Sequence, residues 1–211
     1  MIPEEKVIAT LLDLESAAHK TGWDHIPATL FLIRAANDGI SLETIPAYES
    51  LKHVLRAIGI SKPEEAALIK IGESCRRSNS DLSIALGAHT QFPSIGALLI
   101  SEAYATMLPP EEVAGRDLAD VPGSVEVRIT YAIDAFGRYF YVTRQRGNDP
   151  ISGVYGTDNP RMAEILETPG AVALLNIVLG LSRSLPRRWR DPDALERLDR
   201  LANPDDLGSR S

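Results

Sequence analysis

A single cysteine, Cys75, stands among 211 residues, so no intrachain disulfide can form and a cross-linked secreted scaffold is excluded. Histidine is almost as scarce. His19, His25, His53 and His89 are four in all, no spacing draws three of them together, and a zinc cage has no support; they are expected to be ordinary surface histidines, with no metal bound. Basic charge is also in deficit, 22 Lys and Arg against 29 Asp and Glu, and a net charge of -7 argues against general nucleic-acid binding. The longest apolar run, Ala171 to Leu181, is broken by Asn176 and Gly180 and is too short for a bilayer, which needs about 20 residues. No Gly-x-Ser-x-Gly elbow and no phosphate-loop pattern occurs, and Gly153-Val154-Tyr155-Gly156 reads as a turn. No cofactor is expected. The start, Met1-Ile2-Pro3-Glu4-Glu5, lacks a basic n-region, which together with the lone cysteine predicts a cytoplasmic protein.

What is present is material for one good core, with 44% hydrophobic residues in a length that suits a single domain. Residues 1–184 are expected to form that domain, and 185–211 a basic-aromatic segment, a short helix and a tail. Residues 3–20 read as an amphipathic helix with Val7, Ile8, Leu11, Leu14 and Ala18 on one face, Pro3 and two glutamates at its start and Gly22 after its end. Ala28 to Ala35 is short and apolar enough for a strand buried on both faces. Asn37-Asp38-Gly39 is a turn signal, and Tyr48 to Ile58 has a weak helical period. Pro63-Glu64-Glu65 opens a helix with Ala67, Leu68, Ile71 and Cys75 as its inner stripe. Leu82 to Leu86 suits a short strand or turn, Ile95 to Met107 a central strand, and Asn159-Pro160 opens a helix to about Glu167. Residues 171–184 form a buried helix and Pro192 to Ala202 a last short one. The pattern predicts an α+β fold: an antiparallel sheet of about four strands (28–35, 95–106, 124–134, 138–146) packed with N-terminal and C-terminal helices.

The hairpin carries the sharpest local signal. Val127, Ile129, Tyr131 and Ile133 recur at every second position, and Asp134-Ala135-Phe136-Gly137 suits a four-residue turn. Pairing Ile133 with Arg138 then sets Tyr131 against Phe140 and Ile129 against Val142, one apolar face. The other face carries Arg128, Thr130, Tyr139, Tyr141, Thr143 and Gln145. A tyrosine row beside an arginine, left uncovered, is a surface suited to binding, and helices laid over it would make the same residues plain packing. Arg144 and Arg146, at the end of the second strand, could offer guanidinium groups to a carboxylate or phosphate at the sheet rim, with Asp149 and Glu126 able to neutralise them.

Other candidates weigh less. Trp23 is expected to anchor the first helix on the sheet. In Ser74-Cys75-Arg76-Arg77 the arginines sit where helix geometry turns them away from a buried thiol. Arg187-Arg188-Trp189-Arg190 is the one compact basic-aromatic cluster, and Asp191, Asp193 and Glu196 follow it at once, the mark of a solvated, salt-bridged segment.

Gly22-Trp23-Asp24 with Pro27 and Leu30, Phe92-Pro93 before Ile95-Gly96-Ala97-Leu98, Leu108-Pro109-Pro110-Glu111, Val127-Arg128, Arg144-Gln145-Arg146 with Asp149, and Gly156-Thr157-Asp158 together resemble an uncharacterised actinobacterial protein family. The series covers most of the chain to about residue 168. The chain departs from the pattern at His25-Ile26, where the family has a Gln-Pro pair, and in a shorter loop from Glu112 to Ser124. The resemblance implies an α+β fold and an actinobacterial or actinophage origin, and it implies no activity.

Three expectations of function follow. The leading one is a non-catalytic adaptor or chaperone-like domain that binds a protein partner, or a second copy of itself, through Arg128, Thr130, Tyr139, Tyr141, Arg144 and Arg146. The second is a small cytoplasmic enzyme whose site gathers Asp24, His25, Arg144 and Arg146. The third is a phage-type effector that occupies a host protein.

Overall fold

A computed structural model describes residues 2–24, 28–36, 39–77, 93–157, 168–187 and 190–202. Among them the chain forms α1 (Glu4–Thr21), β1 (Thr29–Ala36), β2 (Gly39–Thr44), α2 (Pro46–Ala57), α3 (Pro63–Arg76), β3 (Ser94–Ala105), α4 (Pro110–Val113), β4 (Val125–Asp134), β5 (Tyr139–Gln145), β6 (Gly153–Tyr155), α5 (Pro169–Ser184) and α6 (Pro192–Ala202). The strands make one antiparallel sheet in the order β2-β1-β3-β4-β5-β6. The α+β class is as the sequence predicts, and the four expected strands are all present. Two more flank them, because Gly39–Thr44 pairs on β1 and Gly153–Tyr155 pairs on β5.

Prolines set the helix starts. A proline occupies the first turn of α2, α3, α4 and α5, where its missing N–H has no intrahelical acceptor to lose. Thr168 caps α5 by accepting from the Ala171 N–H, and Asp191 caps α6 by accepting from Asp193 and Ala194. The 185–202 segment is tied to the rest: Ala194, Leu198 and Ala202 are buried, α6 packs on α5, and Arg197 donates to the Phe136 carbonyl at the hairpin turn.

Both sheet faces are covered. α1 lies across one, where Val7 and Leu11 join Ile33, Ile95, Leu98, Ala132, Phe140 and Val142. The helices α2, α3, α5 and α6 build the larger core on the other, around Leu30, Leu32, Tyr48, Leu99, Tyr131 and Ile133. The expected α3 stripe Ala67, Leu68, Ile71 and Cys75 is buried there, as is the 171–181 run within α5 except for exposed Val172. α3 and α5 approach through two notches: Gly72 faces the backbone of Ala173, and Gly180 faces the Cys75 carbonyl. No helix among the described residues is long and apolar enough to cross a membrane.

The hairpin register differs from the expected one by a single residue. Asp134 remains in β4, its N–H donating to the Arg138 carbonyl at 2.9 Å, and only Ala135, Phe136 and Gly137 form the loop, with Gly137 at φ 74°. This three-residue turn is closed by a left-handed glycine, and the Asp134 carboxylate accepts from the Phe136 and Arg138 N–H groups, each at 3.0 Å. Ile133 therefore faces Tyr139, and Tyr131 faces Tyr141. Because side chains alternate, that one residue exchanges the faces of a whole strand. Tyr139 and Tyr141 join Tyr131 on the α5 side, while Arg128, Thr130 and Arg144 lie on the α1 side with Phe140 and Val142. The polar face expected for Arg128, Thr130, Tyr139 and Tyr141 together does not exist.

The expected strand or turn at Leu82 to Leu86, the helix after Asn159-Pro160, residues Arg188 and Trp189, and the tail beyond Ala202 lie outside the described residues.

Candidate functional site

The C-terminal end of α1 lies above a block of charge built on the α1 face of β3, β4 and β5. Its innermost member is Glu15, fully buried four residues after Leu11 on the helix face that meets the sheet. A carboxylate there requires partners. Arg144 of β5 supplies a bidentate grip, Nε to Oε1 at 2.7 Å and Nη2 to Oε2 at 2.6 Å, and Nη1 of Arg128 lies 3.7 Å from Oε1. Arg128 and Arg144 face each other across the β4–β5 ladder, so two like charges stand side by side and Glu15 offsets both.

Arg128 links this inner layer to an outer one. Its side chain is 0% exposed; it donates from Nε and Nη2 to Glu102 at 3.2 and 2.7 Å and from Nη2 to the Gly22 carbonyl at 2.6 Å. Trp23 lies over the same guanidinium, 4.4 Å from ring centre to Cζ. The expected anchoring role of Trp23 thus takes the form of a ring laid on a cation. Gly22 turns the chain at φ 103°, and Asp24 follows at φ 66°, a conformation that Asp tolerates better than most residues. The Asp24 N–H donates to Glu102 at 3.0 Å.

In the outer layer Arg146 donates to both Asp24 oxygens, at 3.1 and 2.7 Å, and to Glu126 at 2.5 Å. Carboxylate oxygens of Asp24, Glu102 and Glu126 come within 4.8 Å of one another. Those are the groups that could hold a cation. Arg146 and Arg128 already bridge them, so a metal ion would have to displace guanidinium groups bonded to the same oxygens. The arrangement fastens the end of α1 and the loop after it to the sheet.

The fold thus brings together Asp24, Arg144, Arg146 and Arg128 from the candidate set, within one network. Thr130 is buried two positions from Arg128, and Tyr139 and Tyr141 stand on the opposite face. His25 lies outside the described residues; His19 approaches Asp149 at 3.9 Å, and His53 is exposed on α2. Sequence reasoning missed Glu15 and Glu102. Glu15 had a signal, since it occupies the apolar stripe defined by Val7, Leu11 and Ala18; Glu102 had none within a strand read as apolar.

Cys75 is buried among α3 and α5, and burial pushes its thiol up to about 12. A thiol-labelling reagent is expected to leave the native protein unmodified at neutral pH and to react with one thiol per chain in guanidinium. Rapid stoichiometric labelling of the folded protein would contradict that burial.

Compared with family models, with curated proteins and with solved structures, the chain has no significant match.

Proposed function

We propose that this chain is a non-catalytic protein-binding domain, of adaptor or chaperone-like type and at work in the cytoplasm, that takes its partner on the tyrosine-bearing part of the sheet. The observation that carries this is uneven cover. α5 is centred over β3 and β4, and on β5 beside it Tyr139, Tyr141, Thr143 and Gln145 stay half-buried on one face. Tyrosines held by a sheet lose little conformational entropy on binding and offer ring area to a partner. Arg128, Thr130 and Arg144 leave the proposed surface, since they serve the α1 face.

The competing enzyme, with Asp24, His25, Arg144 and Arg146 in its site, draws support from the Asp24–Arg146 contact. Against it stands the occupation of Arg144 by buried Glu15, which removes that guanidinium from any substrate. Binding to a host protein, as an effector would, is separated from adaptor function by the lysate used.

The test is affinity capture from an actinobacterial lysate, chosen for the family resemblance, with mass spectrometry of what is retained. Wild type is expected to hold a stoichiometric protein partner. The Tyr139→Ser/Tyr141→Ser variant, shown by its melting curve to be folded, is expected to lose it. Retention of every partner by the folded double variant would remove this face as the binding surface.

A further inference from the structure

We propose that the outer edge of β2 is a self-association surface, across which two copies of this chain join their sheets antiparallel about a two-fold axis through Ser41. The backbone parity of the edge comes first. Leu32 faces Glu43 and Arg34 faces Ser41, and the next position of that set, Ile45, donates its N–H to the Leu30 carbonyl at 3.3 Å. In an antiparallel ladder alternate residues turn both backbone groups toward the same neighbour. Gly39, Ser41 and Glu43 are therefore committed to β1, and Ile40, Leu42 and Thr44 turn N–H and C=O outward. No strand among the described residues pairs there, since β2 ends the sheet.

Natural sheets blunt such an edge with proline, lysine, a bulge or a very short strand. β2 has six residues, Gly-Ile-Ser-Leu-Glu-Thr, with none of those devices. The bulge of this region lies on the other side, between β1 and β3. The one charge, Glu43, is bound by Arg34, so the edge carries no net repulsion against a copy of itself.

A second copy fits because only outward residues can pair across the edge. With the axis at Ser41, Ile40 lies opposite the partner's Leu42, and the reverse pair repeats it. Ile40 and Leu42 are half-buried and already packed against the cluster of Val7, Leu11 and Phe140, so pairing extends that apolar layer through the axis. Glu43 then faces the partner's Gly39. An axis at Leu42 would instead bring the two glutamates nearer, each opposite the partner's Ser41.

The experiment is light scattering of the full chain over a concentration series, with cysteine cross-linking in parallel. Ser41→Cys places two thiols in a non-hydrogen-bonded pair about 4.5 Å apart between Cα atoms, inside the range of about 4.4–6.8 Å that a disulfide spans. Buried Cys75 supplies no competing thiol. Wild type is expected at twice the chain mass, and Ser41→Cys at the same mass with a reducible covalent dimer after mild oxidation. Leu42→Pro and Thr44→Pro remove only outward N–H groups and are expected to halve the mass while the chain stays folded. A wild-type monomer at every concentration, a dimer untouched by both folded proline variants, or a dimeric Ser41→Cys preparation that fails to cross-link would each overturn the proposal. Should the proline variants unfold, the Ser41→Cys cross-link decides alone. β2 lies at the other end of the sheet from β5, so loss of this interface leaves the test of the tyrosine surface standing.

Discussion

Replacing Glu15 by alanine is expected to lower folding stability by about 3–5 kcal/mol, the cost of leaving buried charge without its partner. Urea unfolding followed by circular dichroism measures it as a fall in the midpoint. The magnitude follows from what remains. Arg144 keeps a 7% exposed side chain and loses both of its bonds to Glu15, while Arg128, fully buried, loses the carboxylate that separates it from Arg144. Arg128 still has Glu102 and the Gly22 carbonyl, so the damage centres on Arg144. Glu15→Leu combined with Arg144→Leu is therefore expected to recover most of the loss, because an apolar pair of similar volume needs no charge compensation. A loss below about 1 kcal/mol for Glu15→Ala would mean that Arg144 reaches water by a small shift, as surface pairs do.

The second large effect is expected at the α3–α5 contact. Gly180→Ala gains about 1 kcal/mol of helix propensity, yet the variant is expected to be less stable by about 2 kcal/mol, since overpacking costs about 1–3 kcal/mol and occasionally more. The new Cβ falls on the Cys75 carbonyl oxygen, and backbone cannot yield as the end of a flexible side chain can. Gly72, whose Cβ would lie 2.7 Å from the Ala173 carbonyl oxygen, shows the same notch from the other helix. A Gly180→Ala variant that melts at or above wild type would mean that α3 and α5 slide apart at little cost.

Much of the fold was legible in the chain because it depends on local physics. Prolines followed by glutamates marked the start of α3, the spacing of Ala67, Leu68, Ile71 and Cys75 marked its inner stripe, and the short apolar run of β1 marked a strand covered on both sides. β2 was hidden because Ile40 and Leu42 are its only apolar residues, an alternation too short to define a period. β6 was hidden because three residues hold no period at all. Of the charged site, the arginines and Asp24 were visible as residue types. Their employment was not, since Glu15 and Arg144 meet across 129 positions of sequence.

Sequence alone determined the start and inner stripe of α3, the α+β class and the absence of an intrachain disulfide, for each depends on neighbours within a few residues or on composition. Tertiary structure decided the hairpin register and everything resting on it. One residue of turn length, chosen by the Asp134 bonds to Phe136 and Arg138 and by the left-handed Gly137, sent Tyr139 and Tyr141 to one face and Arg144 to the other. Both faces are packed, so hydrophobic alternation could not choose between the two registers. The turn made that choice, and α1 is consistent with it, since in this register its buried Glu15 meets Arg144 and Arg128.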